Sequence, residues 1–148
     1  YIMAMWRMSS LLLGLTVATC AAAREWTPDV FPNPTTDFEA CGRGKPSWIC
    51  DPDEVLTEEG QDVLEGILQL VDLGDPPYVK ISCGDAGPQG FEIGVAVMRK
   101  FEVTADEDDA DAAEAFAQAL HAQWSVGRRE CQNGILLLLA VDNRCMIC

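Results

Sequence analysis

The sequence predicts an α/β domain in which a partly parallel sheet carries helices packed on its faces. Three observations predict it. Phe91, Ile93, Val95 and Val97 alternate with smaller or polar residues, the period of a strand. Residues 106–124 then place Ala112, Ala113, Phe116, Ala117, Leu120 and Trp124 on one side of a helix. Residues 135–141 (ILLLLAV) form a continuous apolar run, the pattern of a strand buried on both faces. Strand, helix and doubly buried strand in that order make a right-handed βαβ unit, whose two strands lie parallel.

The elements follow in chain order. Residues 1–23 read as a secretory signal peptide: Arg7 precedes an apolar stretch over 11–23 that ends in Ala21-Ala22-Ala23. That stretch is shorter than the ~20 residues a bilayer-spanning helix needs. Residues 24–40 read as an extended lead-in, because Pro28, Pro32 and Pro34 oppose both helix and sheet ladder. Residues 41–148 read as the domain proper. It opens with a Gly- and Pro-punctuated loop, Cys41 to Cys50. Thr57 is placed to cap a helix over 57–73, with Glu58 and Glu59 in the first turn where the helix dipole favours acids. Val63, Leu64, Ile67, Leu68 and Val71 recur at helical spacing and predict its buried face. Pro76-Pro77 ends it. Asp142-Asn143-Arg144 is a turn, and a further strand begins at Cys145.

An exported chain gives the cysteines a meaning. Without residues 1–23 six remain, which in an oxidising compartment read as disulfides with about 15 complete pairings open. A zinc site is the competing reading, but the Cys145–Cys148 CxxC has no second pair and the chain has a single histidine, His121. A Cys41–Cys50 bridge closes the short loop. Cys83 and Cys131 each lie shortly before a strand of the βαβ unit, so both fall at the amino end of the sheet, where a bridge is sterically reasonable.

Acids outnumber bases 24 to 10, for a net charge of −14. That excludes nucleic-acid binding, which needs a basic footprint, and disfavours docking on anionic lipid.

Cys41-Gly-Arg, Cys50-Asp-Pro-Asp53 with Val55-Leu56-Thr57, Leu120-His121-Ala-Gln-Trp124-Ser-Val-Gly127 and Cys131-Gln-Asn133-Gly134 through Asp142-Asn-Arg144 together resemble the modulator-of-levamisole-receptor family, from about Trp26 to the end. The resemblance implies an extracellular TPM-like α/β domain, disulfide-stabilised, in a non-enzymatic auxiliary subunit of acetylcholine-gated channels. Its implied partners are ligand-gated acetylcholine receptor subunits, and its implied place is the extracellular side of the plasma membrane. Such proteins carry a carboxy-terminal membrane helix; no apolar run of that length occurs here, so anchoring is expected through a segment missing from this chain. A TPM-type domain would also continue past Cys148, and the domain is expected to be truncated at its carboxyl end.

Related TPM domains include acid phosphatases and calcium binders, which keeps open a metal-dependent phosphatase and a secreted calcium-binding module. Their carboxylates cluster at the carboxyl edge of the sheet, where open α/β sheets bind ligands. Asp51, Asp106 and Asp142 are the matching candidates here, and hard oxygen ligands suit Ca2+ or Mg2+. Each also has a plainer reading: Asp106 in the acidic first turn of a helix, Asp51 fixing the turn before Thr57. No GxSxG, HExxH or Cys–His nucleophile signature occurs. Trp48, inside the disulfide loop, is the interface candidate, while Trp124 reads as core and His121 as a half-buried helical residue.

Overall fold

The computed structural model describes residues 24–106 and 108–148. The expected signal peptide lies outside the described residues. In chain order the elements are β1 (Glu25–Trp26), a 3-10 turn (Pro28–Val30), β2 (Ile49–Cys50), α1 (Glu58–Leu73), β3 (Ile81–Ser82), a second 3-10 turn (Gly84–Ala86), β4 (Pro88–Gln89), β5 (Glu92–Met98), β6 (Lys100–Phe101), α2 (Asp109–Trp124), β7 (Gly134–Ala140) and β8 (Cys145–Ile147). The main sheet has the order β2-β5-β7-β8. β2 and β7 run parallel to β5, and β8 returns antiparallel to β7. β5, α2 and β7 are the predicted βαβ unit, and the mixed sheet with a helix on each face is the predicted fold class.

Each helix is bounded by its own residues. The Thr57 hydroxyl accepts from Gly60 N at 3.1 Å, a cap worth about 1 kcal/mol. Gly74 ends α1 in the left-handed conformation, φ 62° and ψ 34°, and returns its N–H to Leu70 and Val71. Asp108 caps α2 by accepting from Ala110 N, so this helix starts three residues later than the acidic run suggests. Asp109 and Asp111 occupy its first turn.

β7 alternates rather than being sealed on both faces. Leu136, Leu138 and Ala140 are buried against α2, whereas Ile135, Leu137 and Leu139 on the opposite face are half-buried. Burial on both faces is found instead in β5, expected to alternate, where Gly94 to Met98 are all enclosed. Gly94 admits α2 closely: a Cβ there would stand 3.3 Å from the Trp124 ring and 3.2 Å from Val126.

α1 is turned from its expected orientation. Gln61, Glu65 and Leu68 face inward, while Val63 is 61% and Ile67 42% exposed. The reason is a set of polar partners in the 41–50 loop. Glu65 accepts from the Ser47 hydroxyl and from Trp48 N, and Arg43 reaches Gln61 at 3.3 Å and Asp62 at 2.9 Å. A buried arginine needs such partners, and they fix which side of the helix meets the loop.

The stretch read as an extended lead-in is folded into the domain. Pro28 opens a 3-10 turn, where its missing N–H is harmless, and β1 pairs in parallel with β6. Trp26 and Phe31 are buried; Phe31 stacks on Trp124 and meets Phe116 edge-on. The lead-in therefore shares with α2 the covering of one sheet face.

Both expected disulfides are present, Cys41–Cys50 and Cys83–Cys131, and Cys145 and Cys148 are free. The 48-residue separation of the second bridge gives it the larger entropic effect on the unfolded chain. Replacing Cys83 and Cys131 together by Ser should lower unfolding free energy by about 4 kcal/mol in urea titrations, with the far-ultraviolet spectrum of the folded state unchanged.

Candidate functional site

The carboxyl edge of the sheet is where this topology places ligands, and the chain brings Asp51, Asp53, Arg99, Lys100, Asp142 and Asn143 to it. Asp51 directly follows β2, and the chain from it turns into α1. Its side chain is fully buried. One carboxylate oxygen accepts from Val55 N at 2.9 Å; the other accepts from Leu56 N at 2.7 Å and from Gln61 Nε2 at 3.3 Å. Three donors fill most of the roughly four acceptor positions of the carboxylate. Asp51 acts here as the turn-fixing residue.

Asp53, two residues on, is equally committed to holding the chain. Its Oδ2 accepts from the Trp26 indole at 2.9 Å and from Arg99 N at 2.7 Å. It ties the lead-in to the end of β5. The guanidinium of Arg24 lies 3.9 Å from the centre of the Trp26 ring on the same edge, an attractive cation–π geometry. The next step along the edge is stitched by Asp142 N donating to Arg99 O at 2.8 Å and Phe101 N donating to Asn143 Oδ1 at 3.0 Å.

Asp142 is exposed at the end of β7 and Asp106 is exposed ahead of α2. Lys100 stands in this acidic field, ion-paired with Glu25. Its amine is held above the ordinary 10.5 by that hydrogen bond and the Glu25 charge, with smaller contributions from Asp142 and Asp109. An ammonium in this position offsets the negative charge that would draw a divalent cation. Among the described residues, no three of His, Cys, Asp and Glu are grouped so as to hold a metal ion. Asp51, Asp106 and Asp142 thus occupy the predicted edge without forming a ligand set there.

At the opposite, amino edge, Asn133 is fully buried. Its side chain accepts from Arg128 N and donates to Gly90 O, both at 2.7 Å, so it locks the approach to β7 against that to β5 beside Cys83–Cys131. Gly134 follows it where a Cβ would meet Val126 O at 2.1 Å. His121 is half-buried, as expected, and lines an open cleft of about 740 Å³ with Glu114, Gln118, Ile147 and Cys148. Trp124 is core. Trp48 is half-buried and packs beside Ile49 and Leu68, which leaves only part of its ring for a partner.

The polar anchors Arg43, Gln61 and Glu65 were missed by the sequence reading. Gln61 and Glu65 share a helix face with buried Leu68, at positions four and three residues apart. A polar pair in line with an apolar residue was the available signal.

The sequence model of the family described as modulator of levamisole receptor-1 matches residues 26–144. No curated protein and no solved structure matches the chain.

The bonds to Asp51 predict a structural phenotype. Asp51→Ala should cost roughly 3 kcal/mol of stability, since it leaves two backbone donors and a buried amide without their acceptor. Asp142→Asn should leave the unfolding free energy unchanged, because Asp142 is exposed. Chemical denaturation of the two variants side by side checks both.

Proposed function

We propose, from the premise that this chain belongs to the modulator of levamisole receptor-1 family, that it is a non-enzymatic auxiliary subunit of acetylcholine-gated channels, acting from the extracellular side of the plasma membrane. The observation that carries the reading is the extent of the family match. It runs from Trp26 to Arg144, from the second residue of β1 to the turn after β7, and so takes in both disulfides and both helices. The family is named for receptor modulation. Two disulfides suit an extracellular location, and the acidic surface suits a protein partner over anionic lipid or nucleic acid. Among the described residues no helix is long and apolar enough to cross a membrane. On this reading the domain acts by contact, and the carboxyl edge of the sheet serves to hold its shape.

Co-expression of the full chain with levamisole-sensitive acetylcholine receptor subunits, in a cell that has no such receptor, tests the proposal. Levamisole-evoked currents should shift in half-maximal concentration by several-fold, corresponding to about 1 kcal/mol or more of coupling between the sites. Identical concentration–response curves with and without the chain, at equal surface expression, would contradict it.

A further inference from the structure

The turn between β7 and β8 holds a motif that the channel-subunit reading does not use. Asn143, Arg144 and Cys145 follow one another there, an asparagine with a thiol two residues on. The acceptor sequence for N-linked oligosaccharide is Asn-x-Ser/Thr, with x other than proline. The hydroxyl at its third position is the group that the transferring enzyme holds by hydrogen bonding. A thiol donates and accepts in the same way, more weakly. Cys145 is available for that part, because it takes part in neither disulfide, and Arg144 satisfies the middle position. The chain's other two asparagines do not qualify. Pro34 follows Asn33, and Asn133 is fully buried with an isoleucine two residues on.

The folded turn can carry the modification, because the Asn143 amide uses its two ends differently. Its Oδ1 accepts from Phe101 N at 3.0 Å. Among the described residues, the buried side-chain nitrogens and oxygens without a partner belong to Asp72, Trp124 and Arg128, so Nδ2 of Asn143, which makes no such bond, meets solvent. Asp142 and Arg144 on either side are exposed. A sugar joined at Nδ2 leaves the carbonyl oxygen in place, and the bond to Phe101 survives. The structural bond and the modification fall on different atoms of one amide.

We infer that Asn143 is an N-glycosylation site, read through Cys145. In the transfer, Nδ2 bonds to the anomeric carbon of an oligosaccharide carried on a lipid diphosphate. The bond from that carbon to the diphosphate oxygen breaks, the lipid diphosphate leaves with the electron pair, and Nδ2 gives up one proton to the transferase. The inference goes beyond the receptor role and rests only on the extracellular location, since the oligosaccharide donor belongs to the secretory pathway. A glycan here stands over the carboxyl edge of the sheet beside β6, so a receptor surface meets the domain elsewhere.

The full chain is expressed in a cultured animal cell line and digested with peptide-N-glycosidase, which releases the oligosaccharide and converts the asparagine that carried it to aspartate. Mass spectrometry of the peptide that contains residue 143 reads the modified fraction. Part of the wild-type chain should be modified at Asn143, and none of Asn143→Gln or Cys145→Ala. Cys145→Ala keeps the amide and its bond to Phe101, so loss of the glycan in that variant reports the acceptor motif rather than the turn. Cys145→Thr supplies the stronger hydroxyl and should raise the modified fraction several-fold. Transfer takes place on the emerging chain, so a variant that folds less well is still read. Pro34→Ala opens Asn33-Pro34-Thr35 into an ordinary acceptor and is the control for entry into the secretory pathway. A glycan at Asn33 in that variant, with Asn143 bare in the wild type, would overturn the inference and leave the extracellular reading standing. Equal modification of Asn143 in wild type and Cys145→Ala would overturn the part given to Cys145. No glycan in either Pro34→Ala or Cys145→Thr would remove the extracellular reading and the inference with it.

Discussion

A single buried carboxylate sets the geometry on which the rest of this domain depends. Asp51 ends the first strand of the main sheet, and its two oxygens gather Val55 N, Leu56 N and the Gln61 amide. Its own N–H donates to Cys41 O, beside the Cys41–Cys50 bridge. The strand, the disulfide loop and the start of α1 are therefore joined at one residue. Burying a charge is costly unless it is fully hydrogen-bonded, and here the satisfaction of the charge requires that the chain turn as it does. Once Gln61 is committed to Asp51, Glu65 one turn later meets Ser47, and the rotation of α1 follows. The exposed apolar flank of that helix is a consequence of this commitment, because a helix cannot present its polar anchors and its whole apolar stripe to the same surface.

The two ends of the sheet are secured by different means. At the carboxyl edge, carboxylates and amides of Asp51, Asp53 and Asn143 accept backbone N–H groups that the short strands leave over. At the amino edge the Cys83–Cys131 bridge and the buried Asn133 side chain hold the entries to β5 and β7 together. Between them the sheet is covered fully on one face and by half on the other.

Much of this was legible in the residues. Thr57 and its acidic first turn located α1, and the βαβ order placed Cys83 and Cys131 at one end of the sheet, from which their pairing followed. The prolines of residues 24–40 misled, because a rule about helix interiors and central strands does not reach the first turn of a 3-10 helix or a two-residue strand; Trp26 and Phe31, two large apolar residues among those prolines, were the contrary signal. The rotation of α1 was not readable from periodicity. Its apolar residues span two overlapping stripes, and the choice between them is made by Arg43 and Ser47, more than fifteen residues away in sequence. The carboxylates at the sheet edge carried two readings with equal force, ligand or turn, and only the hydrogen bonds of Asp51 and Asp53 distinguish them.

The anchoring of the fold by Asp51 is tested most directly by native-state hydrogen exchange on the unmodified chain. Val55 and Leu56 lie outside any helix or strand, where amides ordinarily exchange through small local openings. If their N–H groups are held by the buried carboxylate, they exchange only through the opening that also releases the core amides of β5, at the same free energy. Exchange of Val55 and Leu56 at the rate of the exposed loops, with β5 still protected, would contradict the account.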